Sequence, residues 1–487
     1  MTYLVTTPIY YANAEPHLGH AYTTLAADVL SRHAAQRGEQ PFLLTGTDEH
    51  GEPIARAAQQ QRITPQELVE RSAQRFVELL DAIDVQPSHF VRTSSPSHVR
   101  GVQTLLGALH ERGLIYRAEY EGLYCARCAD YKSGREAAAG VCRVHRVSLD
   151  CVQESNWFFR LSVFERRLRA HLTEHPEWIT PASRHREALA LVEHGLSDVS
   201  ISRANLTWGV PVPWDKSQVF YVWFDALLNY LTGPASAAVD GWPAQIQLLG
   251  KDILKFHAVF WPALLWALDR DLPDKLVVHG HLLTGGEKSS KSRGNTVNPF
   301  VAAAKYGTDA LRVSLFGTIR WFEDGPVEDL EFFGRGYADL ADVYGNLARR
   351  VTSLAVSQLS GELPSVAIDK IVVDAVADAA DVELAAFERG DLTEAFRAAW
   401  SATQALNAAV NTLRPWTLEG ADQAAAVASL VEGVRVASVL LHSFAPQGTA
   451  KVLRAFEADA GWHGARVAAV TPQRSVRTFE VLYPRLG

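Results

Sequence analysis

The first 45 residues limit the fold more than any other stretch. Tyr3–Ile9 is β-branched and aromatic, which predicts a strand. A turn-rich segment, Ala12 to Gly19, follows it. His20–Gln36 then carries apolar residues at Leu25, Val29 and Leu30, with Gly38 as a stop, which predicts a helix. Pro41–Thr45 predicts a second strand. Strand, helix and strand with short links form a βαβ unit, and that unit commits the chain to a parallel sheet.

The remaining chain changes texture several times over its 487 residues. Up to about Leu114 it keeps the α/β character. The stretch from about 115 to 215 holds all four cysteines and many aromatics, and reads as an insertion. From about 216 to 335 the α/β character returns, with strands expected at Val219–Trp223, Ile246–Leu249 and Lys275–His279 and a buried helix at His257–Leu268. From Gly336 onward the chain is rich in Ala, Leu and Val at helical spacing. Asp391–Leu413 shows the stripe Ala395, Ala398, Ala399, Ala402, Leu406, Ala409, Val410 and Leu413, the signature of a helical bundle. The last 25 or so residues read as an irregular tail or an added strand.

Composition narrows the class. Hydrophobic residues at 47% and charged residues at 21% exclude global disorder. A net charge of -8 does not announce a nucleic-acid binder, although a basic groove can sit on an acidic protein. Met1–Tyr11 has no basic n-region or long apolar core, so no secretory signal is expected. The longest apolar run, around His257–Leu268, is too short for a membrane span and contains Pro262. The expected setting is the cytoplasm, without a membrane partner.

Five groups of residues carry chemistry. Pro16-His17-Leu18-Gly19-His20 lies between the first strand and the first helix. A helix start offers free N–H groups to phosphate, Gly19 lets a ligand approach the backbone, and His17 and His20 can both donate. Alone, the pair is as readily two capping or surface histidines. Gly286–Asn295 is a small-residue loop with Lys288 and Lys291, able to close over a polyphosphate; alone, it is a solvated basic loop. Cys125-x2-Cys128-x13-Cys142-x2-His145 contains two chelating pairs whose thiolates and imidazole suit one closed, structural zinc site. Cys151 is left over and reads as a packed core residue. Thr45–Gly51 places Asp48 at the end of the second strand, where a parallel sheet presents its ligand crevice. There Asp48 can hold an ammonium or, more blandly, cap a helix. Tyr11, Trp223, Tyr230 and His257 can jointly line an apolar pocket, though singly each reads as core.

Together these residues resemble a class I aminoacyl-tRNA synthetase. His17–His20 corresponds to the family's H-I-G-H element with Leu18 for Ile. Lys288–Ser292 corresponds to its K-M-S-K-S element with Ser289 for Met. Thr6–Asn13, Thr45–Gly51, Tyr221–Ala226, Gly250–Ile253 and the cysteine–histidine knuckle are similar to bacterial methionyl-tRNA synthetases, over about Thr2 to Trp416. The resemblance implies an α/β fold with a Rossmann-type parallel-sheet catalytic domain, a zinc-binding insertion and a C-terminal α-helical bundle. The implied divisions are 1–115 and 216–285 for the two catalytic halves, 116–215 for the insertion, 286–335 for the loop and stem-contact region, and 336–487 for the anticodon-binding bundle.

The implied reaction joins L-methionine and ATP, with Mg²⁺, into methionyl-adenylate and passes the methionyl group to the terminal adenosine of tRNA(Met). By the same resemblance, His17, His20, Lys288 and Lys291 stabilise the triphosphate, and Asn13, Gly19, Gly250 and Asp252 contact the nucleotide. Asp48 holds the ammonium. Ile9, Tyr11, Trp223, Ala226 and Leu227, with Tyr230, Ile253 and His257, form the methionine pocket. One Zn²⁺ per chain is held by Cys125, Cys128, Cys142 and His145. Asn346, Arg350 and Trp416 read the anticodon; without the family, Trp416 reads as a bundle-closing core residue. A monomer is expected, since no further module fits after about Trp462.

Three positions depart from the family pattern. Ser289 removes an apolar residue from the lysine loop. His281 stands where an aromatic or aliphatic side chain is usual near the adenine. Gly317–Phe322 has Gly317 and Arg320 where an Arg and a Pro are usual. The loop departures keep open a paralogue that activates methionine or a related amino acid without charging tRNA, against which Asn346, Arg350 and Trp416 argue. A third reading, a non-catalytic tRNA-binding relative, is opposed by the intact His17, His20, Lys288 and Lys291.

Overall fold

Why the N-terminal third folds as it does is visible in its alternation. In the computed structural model, which describes residues 2–125, 130–132, 140–142, 147–288, 297–468 and 474–486, the opening strand is β1 (Thr2–Thr6). It pairs in parallel with β3 (Gln40–Asp48), Val5 opposite Leu43, and with β6 (Ile246–Gly250), Val5 opposite Ile246. The short β2 (Tyr10–Tyr11) and β4 (His89–Arg92) also pair with β3, β7 (Leu276–His279) follows β6, and β5 (Ile179–Thr180) forms the far edge beside β7.

Every pairing in this seven-stranded sheet is parallel. Leu4, Phe42, Leu44, Leu249 and Val278 pack into one core, while Val5, Leu43, Ile246, Leu248 and Val277 pack into the other. A sheet covered on both faces needs apolar residues at successive positions, which explains the near-continuous apolar runs.

Helix α1 (Leu18–Gln36) crosses from β1 to β3. It starts two residues before the expected His20, because His17 is its N-cap. The expected strand Tyr3–Ile9 ends at Thr6, and Pro8, which lacks an N–H, lies in the break before β2.

The stretch expected as an insertion contains an antiparallel four-stranded sheet built on the long pair Ile115–Cys125 and Asp150–Phe159. The parallel edge strand Ile179–Thr180 also comes from this stretch. Cys151 pairs with Leu123 but is exposed, so it is not the packed core residue the sequence suggested; its side chain falls on the solvent face of the pleat.

A second correction concerns Trp223. The strand expected over Val219–Trp223 ends at Phe220, and Val222–Leu227 is helical with Tyr221 as its extended N-cap. The apolar run there is short enough to read as either element.

The C-terminal helices form the expected bundle. Leu392–Leu413 buries Ala395, Ala399, Ala402, Leu406, Ala409 and Val410. Among the described residues one helix, Gly420–Leu440, is long and apolar enough to cross a membrane, but 83% of its most apolar window is buried inside the protein, which makes it the bundle's core helix. The bundle is tied to the sheet domain by Gln36, whose amide donates to the carbonyls of Val439 and Ala460 at 2.9 Å each. The tail adds a two-residue strand, Arg474–Ser475, paired with Glu362–Leu363.

Candidate active site

The C-terminal ends of β1, β3, β6 and β7 converge on one cavity of about 280 Å³. That is where an open parallel sheet binds ligands. Of the residues expected to contact substrate, Ile9, Tyr11, His17, Gly19, His20 and Asp48 line it from the N-terminal βαβ segment, and Trp223, Ala226, Leu227, Tyr230, Gly250, Asp252, Ile253 and His257 line it from residues 223–257. Asn13, in the turn before α1, is not among the lining residues.

His17 and His20 serve as caps and cavity wall together. The Nδ1 atom of His17 accepts from the backbone N–H of Gly19, and Nδ1 of His20 accepts from that of His17, each at 3.1 Å. The two rings stack with centroids 3.7 Å apart. An imidazole whose Nδ1 accepts carries its proton on Nε2 when neutral, so each ring offers an Nε2–H donor. The capping reading therefore holds, and the same geometry is compatible with the anion-binding reading. A Cβ at residue 19 would meet the His17 ring at 3.0 Å, which explains the glycine there.

The deep end of the cavity is aromatic. Trp223 stacks on Phe256 at 3.7 Å and 4°, and Tyr11 meets Trp223 edge-on at 6.4 Å. His257 lies in a π-helical turn, Phe256–Phe260, a distortion common at functional sites. Its Nδ1–H donates to the Ile253 carbonyl at 3.1 Å, so Nε2 accepts the Tyr230 hydroxyl proton at 2.8 Å. Burial pushes His257 down to about 4, so the ring is neutral near pH 7.

Asp48 lines the cavity together with Tyr11 and Trp223. It is 4% exposed, and its Oδ1 has no hydrogen-bond partner among the described residues. Burial raises its carboxyl well above the usual range, and the neighbouring Asp225 adds to the rise. A buried acceptor left open beside aromatic walls is matched by a cation carried on an apolar ligand.

Another part of the rim holds Gly250, Asp252 and His281, with His281 Nε2 3.2 Å from Asp252 Oδ1. His279 and Thr23 also line the cavity and bond to each other at 2.8 Å; sequence reasoning missed both, although His279 ends a parallel strand and so meets the same criterion as Asp48. Lys288 continues from this rim: its backbone pairs with Leu283 in a hairpin turned by Gly285 and Gly286 at φ 62° and 74°. Ser289 and Lys291 lie outside the described residues. Gly317 is explained by packing, since a Cβ there would lie 2.7 Å from Phe396 of the bundle.

Two further groups lie away from the cavity. Cys125 ends a strand that pairs antiparallel with Asp130–Lys132 in a hairpin. Cys142 sits in a second hairpin, donating its N–H to the Val147 carbonyl at 2.8 Å. Both cysteines are buried; Cys128 and His145 lie outside the described residues. Among the described residues no set of three metal-ligating side chains occurs. In the bundle, Asn346 is exposed, and Trp416 is 46% exposed, which contradicts a core role. The Arg350 guanidinium lies 4.8 Å from the Trp416 ring centre.

Comparison with known proteins decides the family. Residues 3–148 and 137–352 match the class I tRNA synthetases (M). A methionine–tRNA ligase of Streptomyces coelicolor is 37% identical over 92% of this chain and 88% of its own length. One from Thermosynechococcus vestitus is 38% identical over 91% and 88%. The chain belongs to the methionyl-tRNA synthetases. A solved structure of the Mycobacterium tuberculosis methionyl-tRNA synthetase, in complex with methionyl-adenylate, superposes with a TM-score of 0.92 at 31% identity, covering 99% of this chain and 100% of that one. The class I synthetase fold thus accounts for the sheet order, and the cavity at its strand ends is the candidate catalytic site of a methionyl-tRNA synthetase.

Proposed function

We propose that methionyl-adenylate forms in this cavity, with the residues divided between its two ends. The protein is a methionine–tRNA ligase of class I: it activates methionine with ATP and charges tRNA. In the first step a methionine carboxylate oxygen bonds the α-phosphorus of ATP, and pyrophosphate leaves.

Asp48 takes the substrate ammonium. Ile9, Tyr11, Trp223, Ala226 and Leu227 surround the thioether chain together with Tyr230, Ile253 and His257; aromatic and aliphatic walls suit a polarisable sulfur. The neutral His257, held by Tyr230, adds one fixed polar point. Asn13, Gly19, Gly250 and Asp252 receive the nucleotide. The Nε2–H groups of His17 and His20, with Lys288 and Lys291, receive the negative charge that develops on the phosphates. Enzymes of this family use Mg²⁺ with ATP, and it would ride on the phosphate oxygens.

The knuckle is read as a structural zinc site held by Cys125, Cys128, Cys142 and His145. Two hairpins that each bury a cysteine suit a closed thiolate–imidazole site, whose role is to fold the insertion. In the bundle, Asn346 and Arg350 are read as donors to anticodon bases and Trp416 as a stacking platform.

The observation that carries this reading is the open, buried carboxylate of Asp48 beside the aromatic wall of Trp223 and Tyr11. Methionine-dependent exchange of pyrophosphate into ATP tests it. Asp48→Asn should raise the methionine KM at least about tenfold, the loss of one buried charge pair. An unchanged KM would remove Asp48 from the substrate site.

A further inference from the structure

Behind Asp48 lies a buried chain of titratable groups that substrate contact does not explain. Asp225, on the first turn of Val222–Leu227, is fully buried. Its Oδ2 is 2.6 Å from His50 Nδ1, and its Oδ1 is 2.7 Å from His98 Nε2. His98 passes the contact on through Nδ1 to the Thr232 hydroxyl at 2.6 Å. Four elements thus meet here: the end of β3, the helix Pro96–Glu111, and the successive helices Val222–Leu227 and Asn229–Ser236. His50 also connects forward: burial raises the Asp48 carboxyl, and the backbone N–H of His50 lowers it.

We propose that His98, Asp225 and His50 are positioning residues that keep the negative charge of this block on Asp48, where the substrate amine can reach it. The proposal rests on the reading of Asp48 as the ammonium partner.

Charge balance requires such a device. The block contains three buried carboxylates: Asp48, Glu49 and Asp225. Glu49 is neutralised by Arg92, whose guanidinium nitrogens lie 2.7 and 3.2 Å from its oxygens, and it also accepts from Thr47 and Ser94. Among the described residues, no lysine or arginine forms an ion pair with Asp48 or Asp225. The two imidazoles are what face Asp225. One proton held on either of them compensates Asp225 and leaves Asp48 free to ionise. Without that proton, two neighbouring buried carboxylates compete for one negative charge. Asp225, with two donors aimed at it, would keep the charge, and Asp48 would be protonated. A neutral Asp48 makes no ion pair, and Asp225 does not line the cavity. The chain therefore decides which of two carboxylates presents its charge to the amino acid.

The test is ATP–pyrophosphate exchange from pH 6 to 9 with full-length protein. His98→Gln keeps a donor for Asp225 but cannot carry a proton. The methionine KM should rise about tenfold at pH 7.5, the equivalent of one pKa unit, while the ATP KM stays within about twofold. H98Q should also change the pH dependence of the methionine KM relative to the wild type. Thr232→Val, which removes only the hydroxyl at the far end of the chain, should shift the methionine KM in the same direction by a smaller factor, and it carries the test if H98Q does not fold. Equal changes in both KM values, or a pH profile that neither variant moves, would overturn the proposal. Asp48→Asn separates the two levels. If D48N binds methionine normally, the reading of Asp48 itself fails. If D48N loses methionine while H98Q and T232V keep it, the charge-holding chain alone fails.

Discussion

At the rim of the cavity, His281 Nε2 lies 3.2 Å from Asp252 Oδ1, with the imidazole 14% exposed and the carboxylate 51% exposed. The backbone of the same histidine donates to Asp324 at 2.9 Å, and Asp324 in turn pairs with Lys251 at 2.6 Å. His281 thus braces one face of an aspartate assigned to the nucleotide. A half-exposed contact of this kind is worth a modest amount, on the order of 0.5–1 kcal/mol. His281→Phe, which restores the aromatic character usual in the family, should raise the ATP KM roughly threefold and leave the methionine KM unchanged. Steady-state exchange kinetics with each substrate varied in turn check it; an unchanged ATP KM would assign His281 no part in nucleotide binding.

Tyr230→Phe removes the proton that His257 Nε2 accepts and leaves a buried acceptor open. The cost is about 1–3 kcal/mol, divided between folding and methionine binding. The expected outcome is a methionine KM raised several-fold with little change in ATP KM, measured by the same exchange assay. Equal binding in both proteins would show that the hydroxyl is structurally idle.

Glu383 is fully buried in the bundle, and neither carboxylate oxygen has a partner among the described residues. Burial raises its carboxyl well above the ordinary 4.5. The folded state then binds a proton that the unfolded state releases, so stability falls as pH rises above about 4.5. Histidines run the other way. Burial lowers His257 and His442 to about 4, so their contribution is complete above about 6.5 and is lost as pH falls toward 4. Glu383→Gln should match the wild type near pH 4.5 and melt several degrees higher at pH 7.5. Melting curves that stay parallel across this range would contradict the assignment.

Much of this arrangement is legible in the amino-acid sequence. The βαβ opening and the bundle stripe at Leu392–Leu413 follow from pattern, and many of the lining residues follow from the family resemblance, although Tyr10, Tyr22, Thr23, Asn229 and His279 do not. The misreadings share a cause. Trp223 reads as a strand residue because a short apolar run fits either element, and only tertiary packing chooses the helix. Cys151 reads as core from its residue type, although its strand has one solvent face. His50, His98 and Asp225 are out of reach for a different reason: 48 residues separate the first two and 127 the last two, and nothing local marks a contact made through a folded sheet.

In the bundle, Trp416→Ala should lower kcat/KM for tRNA charging about tenfold or more, the value of one lost base stack. Amino-acid activation should stay within about twofold. Charging and exchange measured on the same preparation check it; equal losses would return Trp416 to a structural role.

Cys142→Ser should abolish bound zinc and destabilise the insertion while leaving the parallel sheet folded. Metal analysis of purified protein, alongside limited proteolysis of the insertion, gives the readout. Full zinc in the variant would end the reading of the two hairpins as one metal site.

The most direct test of the assigned reaction is ATP-dependent charging of total tRNA with labelled methionine by zinc-replete protein. Robust, methionine-specific labelling of tRNA is expected, competed by unlabelled methionine and lost without ATP. Methionine-dependent pyrophosphate exchange with no labelled tRNA, or no exchange at all, would contradict the assignment.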